Sequence, residues 1–134
     1  MFTNAHHLAE HFPNALMRME QSRDVGELVG FFADGAVLSN LGAEHETRGA
    51  DGARHFWQAY MDRFGEVHSH FTHLHMAERA VILEWCSIGK HNDGRPLSYR
   101  GISILAFDPQ GKISEFRAFY DSAAFVTTLN SPTR

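Results

Sequence analysis

The chain has a single cysteine, Cys86, in 134 residues. An intramolecular disulfide is therefore impossible, and so is a zinc site built from several thiolates. The sequence has no apolar run of about 18 residues, the length that would suggest a membrane-spanning helix. Met1 to Phe12 shows no basic segment followed by an apolar core, so no secretory signal is expected. Positive charge is in deficit: 12 Lys and Arg stand against 16 Asp and Glu, a formal net charge of −4. That balance argues against a nucleic-acid binder or a ligand of anionic membranes. Phosphate loops, dinucleotide fingerprints and serine nucleophile elbows are missing too, and no cofactor is expected. No repeat, low-complexity tract or long linker divides the chain, so residues 1–134 read as one domain, soluble and cytoplasmic. What is plentiful is phenylalanine, 11 beside 3 Tyr and 2 Trp, together with 10 His. So many rings suit a dense core or an apolar cavity.

Helical spacing dominates before Glu66 and strand patterns after it. Asn4 to His11 reads as a short helix, and Pro13 as the first residue of a new helix or a kink. Asp24 and Glu27 form a capping pair for a second helix carrying Leu28, Val29, Phe31 and Phe32. Ala36 to Asn40 is short and strand-like. Ala53, Phe56, Trp57, Tyr60, Met61 and Phe64 recur at helical spacing, with Asp51 to cap that helix and Gly65 to close it. Four long strands follow: Val67 to Glu78, Arg79 to Lys90, Leu97 to Phe107 and Lys112 to Tyr120. Turns at Asn92-Asp93-Gly94 and Asp108-Pro109-Gln110-Gly111 separate the last three. Helices followed by an antiparallel meander predict an α+β architecture. Strands apolar on both faces need cover on both, so the face away from the helices predicts a homodimer.

Three segments resemble a known family. They are Phe32-Ala33-Asp34-Gly35-Ala36-Val37, the run Arg48 to Ala53 with Phe56-Trp57, and Gly111-Lys112-Ile113 through Arg117 to Tyr120-Asp121. They are similar to SnoaL-like proteins of the nuclear-transport-factor-2-like superfamily, with the match strongest over residues 15–125. The resemblance implies a strongly curved, mostly antiparallel sheet wrapped by three N-terminal helices into a cone with a ligand pocket inside. It also implies a choice of functions, among them isomerases, cyclases, dehydratases, epoxide hydrolases and non-catalytic modules.

On this resemblance Asp121 stands where the family often places a pocket carboxylate acting as general base. A carboxylate in an aromatic cavity has a raised pKa and can take a proton from carbon or water. The same residue also fits a cap for a short terminal helix through Phe125. Asn40 resembles the pocket Asn of epoxide-hydrolysing members, and read by itself is a turn residue. Glu84 and Cys86 share a strand face with Ile82 and Ile88, and the resemblance implies that this face looks into the cavity. Glu84 then pairs with Arg100 or Arg117, or stands as a second carboxylate opposite Asp121. In the run His68 to His75, a regular strand puts His68 and His70 on one face and His73 and His75 on the other. Each pair offers two metal ligands, but no local motif names a third, and no metal site is expected. One of His73 and His75 is expected to line the pocket as an acid or hydrogen-bond donor, work that its near-neutral pKa suits. Trp57, Tyr60 and Phe119 are expected in the pocket wall, where Tyr60 and Tyr99 can offer hydroxyls. The expected function is cofactor-independent acid–base chemistry of the isomerase, cyclase or dehydratase type on a small apolar, cyclic or polyketide-like molecule. The alternatives are a non-catalytic binding module and a structural dimer with a vestigial pocket.

Overall fold

A computed structural model describes residues 3–40 and 46–125, apart from the side chain of Ser122. The order is α1 (Thr3–Ser22), α2 (Gly26–Val29), β1 (Phe32–Asn40), β2 (Thr47–Arg48), α3 (Gly49–Asp62), β3 (Phe64–Met76), β4 (Ala80–His91), β5 (Pro96–Phe107), β6 (Ile113–Tyr120) and a 3-10 turn (Ser122–Phe125). The strands form one curved sheet in the order β2-β1-β6-β5-β4-β3. The meander β3 to β6 is antiparallel. To it the structure adds β1, parallel to β6, and the short β2 beside β1. This is the expected α+β fold, with α1 packed on β3 and α3 on β1.

The first two helices depart from their sequence pattern. α1 runs unbroken for 20 residues with Pro13 buried inside it. Proline there forfeits one backbone hydrogen bond, a loss offset by the continuous apolar face of Leu8, Phe12, Ala15, Leu16 and Met19 in the core. α2 is only four residues long. The Gly26 N–H donates to Asp24 Oδ1 at 2.9 Å to start it. Phe31 already belongs to the sheet margin, its carbonyl accepting from the Ile113 N–H at 2.9 Å. α3 follows its periodicity, with Ala53, Phe56, Trp57 and Met61 buried, but its N-cap is Arg48 rather than Asp51.

Alternation along the strands decides which residues meet the helices. Val67 and Ser69 of β3, Leu83 and Ser87 of β4, Tyr99 and Ser103 of β5, and Phe116, Ala118 and Tyr120 of β6 are buried inward. Their neighbours point out. One irregularity matters for everything below. Phe71 lies opposite Trp85 and His73 opposite Glu84, so Thr72 is left unpaired as a bulge. A bulge reverses strand parity. His68, His70, His73 and His75 therefore lie opposite Ile88, Cys86, Glu84 and Ile82, all on the outer face. The expected split of the four histidines between two faces is corrected. No helix among the described residues is long and apolar enough to cross a membrane.

Gly101 sits opposite Trp85 in the β4–β5 ladder. The indole lies across it and donates from Nε1 to Ser103 Oγ at 3.0 Å. A Cβ on Gly101 would run into the Phe119 carbonyl and come within 2.7 Å of the Trp85 ring. Gly101→Ala is therefore expected to cost about 1–3 kcal/mol, the usual penalty of overpacking. Gly35→Ala, where nothing lies within 4 Å, is expected to be neutral or slightly stabilising. Thermal melts of the two variants check the contrast.

Candidate functional site

Phe12, Leu16 and Glu20 are spaced four apart and so share one face of α1. Phe12 and Leu16 line a cavity between helices and sheet. Glu20, one turn further on, is 6% exposed and is the one buried carboxylate among the described residues. α3 brings Phe56, Trp57 and Tyr60 to the same cavity, and the inner strand faces bring Ser69, Phe71, Trp85, Ser87, Tyr99, Ser103 and Tyr120. The space left is about 40 Å³. That suffices for a few waters, at about 10–15 Å³ each, and is far below the roughly 300–1,000 Å³ of a pocket for a drug-sized ligand.

A chain of hydrogen bonds crosses the polar side of this wall. Glu20 Oε1 accepts from the Ser69 backbone N–H at 2.8 Å. Glu20 Oε2 accepts from Ser69 Oγ and from the Tyr60 hydroxyl, both at 2.6 Å. Ser69 Oγ in turn lies 2.6 Å from Ser87 Oγ, and either hydroxyl can donate. Burial pushes the Glu20 carboxyl above its ordinary 4.5, against the opposing pull of the hydrogen bonds from Ser69 and Tyr60. Burial, reinforced by Tyr99 and Glu20, also holds the Tyr60 phenol well above its usual 10. Tyr99 is raised as well, chiefly by burial. Tyr60 and Tyr99 are thus neutral hydrogen-bond donors at any physiological pH.

A second polar group sits in the same wall. The Arg63 Nη1 donates to the Tyr120 hydroxyl at 2.8 Å, and that hydroxyl is 3.5 Å from Asn40 Oδ1. The Trp57 indole N–H, on a side chain only 2% exposed, has no acceptor.

Of the residues singled out from sequence, Asn40, Trp57 and Tyr60 line the cavity. The others do not. Asp121 is exposed, and its Oδ1 accepts the Ala123 N–H at 3.0 Å, the capping alternative. It borders an outer crevice with Cys86 and Arg100. His73 and His75 are exposed on the outer face around Glu84, at 3.5 and 2.7 Å from its two oxygens. Glu84 is therefore paired with histidines rather than with Arg100 or Arg117. Cys86 shares that outer face, and Phe119 is 42% exposed there. Two causes account for these corrections: the Thr72 bulge for the histidines, and for β4 and β6 a parity that turns Trp85, Ala118 and Tyr120 inward. Glu20, Ser69, Ser87 and Arg63 were missed. A usable signal existed for Glu20, which continues the apolar stripe of Phe12 and Leu16 at the same spacing. No three His, Cys, Asp or Glu side chains among the described residues are grouped so as to hold a metal ion.

The family model of the SnoaL-like domain matches residues 14–116. The chain belongs to the SnoaL-like family. The matched stretch of this SnoaL-like domain contains Glu20, Tyr60, Ser69 and Ser87, while Asp121 lies beyond it. None of the curated proteins matches the chain. Solved structures resemble it in fold. An NTF2-like protein from Anabaena variabilis superposes with a TM-score of 0.79 at 15% identity, over 89% of this chain and 90% of that one. A protein of ketosteroid isomerase-like fold from Catenulispora acidiphila, in complex with trimethylamine, gives 0.76 at 14%, over 87% and 89%. SalBIII, an epoxide hydrolase/cyclase-like enzyme in pyran ring formation in the polyether salinomycin, gives 0.72 at 16%, over 90% and 96%.

Two outcomes follow for the carboxylates. Because the folded-state pKa of Glu20 is raised, its contribution to stability is full below the unfolded value and is lost as pH rises through the folded value. Glu20→Gln, which cannot ionise, is expected to gain on the native protein progressively as pH is raised from about 4.5 to neutrality. Denaturant titrations across that interval measure the gap. Asp121→Asn is expected to change stability by no more than about 0.5 kcal/mol, as for other surface positions, and to leave the cavity unaltered by tryptophan fluorescence.

Proposed function

We propose that the protein binds a small, mainly apolar molecule inside its cone and exchanges a proton with it. The reaction class is isomerisation, cyclisation or dehydration of a cyclic or polyketide-like substrate, with no cofactor. One observation carries this reading: the buried Glu20 carboxyl is wired through Ser69 to Ser87, and both serines line the cavity. When Glu20 is ionised, Ser87 donates to Ser69 and Ser69 to Glu20, so the wire can draw a proton from the cavity. When Glu20 is protonated, both hydroxyls reverse and the wire delivers one. The raised pKa brings the two states closer in energy, which is what acid–base work needs. Tyr60 stays neutral and steadies the carboxylate. Glu20 does not line the cavity itself, so it stores the proton and Ser87 passes it on.

The small size of the cavity, about 40 Å³, favours a second reading, a structural dimer whose pocket is vestigial. In either case a second copy of the chain covers the outer sheet face, where Ile88, Ile102 and Phe119 are 51%, 41% and 42% exposed. A single cysteine fits a cytoplasmic setting.

Cyclohexenone and tetralone, incubated with the protein in deuterium oxide, provide the test. Exchange of the protons next to the carbonyl is expected to be catalysed and followed by NMR. Glu20→Gln and Ser87→Ala are each expected to slow it roughly a hundredfold or more while altering binding only slightly. Exchange indifferent to both substitutions would refute the wire. Neither binding nor exchange in the native protein would establish the second reading, and binding without exchange would refute catalysis and leave a non-catalytic binding module.

A further inference from the structure

In the cavity wall, the polar groups without a satisfying partner are donors. The Trp57 indole N–H is buried with no acceptor. Arg63 spends Nη1 on the Tyr120 hydroxyl at 2.8 Å and places its guanidinium 5.3 Å from the centre of the Phe125 ring. Among the described residues it meets no carboxylate, and its Nε and Nη2 make no hydrogen bond. A guanidinium half-buried among rings attracts an anion far more strongly than one in water. Its planar fork matches a carboxylate with two parallel hydrogen bonds. A wholly apolar ligand seated here would strip water from Arg63 and return nothing for it.

Taking the interior as a ligand pocket, as above, we infer that its ligand is a small planar acid: a carboxylate held by Arg63 and borne on an aromatic or unsaturated skeleton. Trp85, Tyr99 and Tyr120 surround the space on the sheet side, with ring centroids 5.2 Å apart for Trp85 and Tyr99 and 5.5 Å for Tyr99 and Tyr120. They suit a flat, conjugated body. Arg63 on this reading fixes the ligand's orientation, and the Ser87 end of the wire meets a different part of it.

Both tryptophans of the chain, Trp57 and Trp85, line the cavity, so intrinsic fluorescence reports binding directly. Benzoate and but-2-enoate are titrated against their uncharged amides. Each acid is expected to bind the native protein at least tenfold more tightly than its amide. Arg63→Met is expected to reduce that ratio to within twofold of unity while amide affinity is kept, and Arg63→Lys to retain part of it. Should Arg63→Met fail to fold, the native ratio and the Lys variant decide. Equal binding of acid and amide by the native protein would overturn the anion assignment and leave the pocket reading intact. An acid preference that survives Arg63→Met would overturn the role given to Arg63. If none of the four probes alters the fluorescence at millimolar concentration, both the inference and the pocket reading fall.

Discussion

A carboxylate cannot be taken out of water without partners, and Glu20 finds all of its own on other elements. Its oxygens accept from the Ser69 backbone and hydroxyl on β3 and from the Tyr60 hydroxyl on α3. These bonds tie α1 and α3 to the same point of the sheet. Breaking any of them strands a charge or a donor in a medium where that is expensive. The register of α1 on β3 is thus set by directional contacts as well as by packing. The cavity lies where the two helices, so fixed, leave the sheet incompletely covered.

The surrounding rings explain why so little of that space is open. Phe116 packs within 5.1 to 6.2 Å of Phe12, Phe32, Phe56 and Trp57, measured between ring centres. A second cluster joins Tyr99 to Trp85, Tyr120 and Phe125 at 4.9 to 5.5 Å. Edge-to-face packing of this kind is worth more than area alone. The abundance of phenylalanine is therefore spent mainly on closing the core. The gap that remains is lined by Tyr60, Ser69 and Ser87 as well as by rings of both clusters.

Much of this was legible from the residues. The meander, its turns and the third helix follow local periodicity and turn chemistry, which the tertiary structure respects. Asn40 was placed in the cavity wall by the family resemblance, and Trp57 and Tyr60 by their rings, and all three line the cavity. What escaped was decided by contacts distant in sequence. Pro13 lies inside one helix rather than at the start of a second because an apolar face outweighs one lost hydrogen bond, and a local rule cannot weigh the two. The strand parity that turns Glu84, Cys86 and Phe119 outward depends on pairing partners. Asp121 satisfies two readings equally well as a string of letters, and only its exposure and its bond to Ala123 separate them. Glu20 was visible as a charged residue in an apolar stripe, but its worth depended on Ser69, 49 positions away.

The unpaired Thr72 has a genetic consequence. Side-chain direction along β3 beyond it is set by residue count and not by residue type. Loss of one codon there would leave every other letter of the strand unchanged. The ladder would close up without other change, because Phe71 already lies opposite Trp85 and His73 opposite Glu84, so His73 and His75 would stay on the solvent side beside Glu84. Thr72 is thus the position at which β3 can lose a residue and keep both its register and the direction of every remaining side chain.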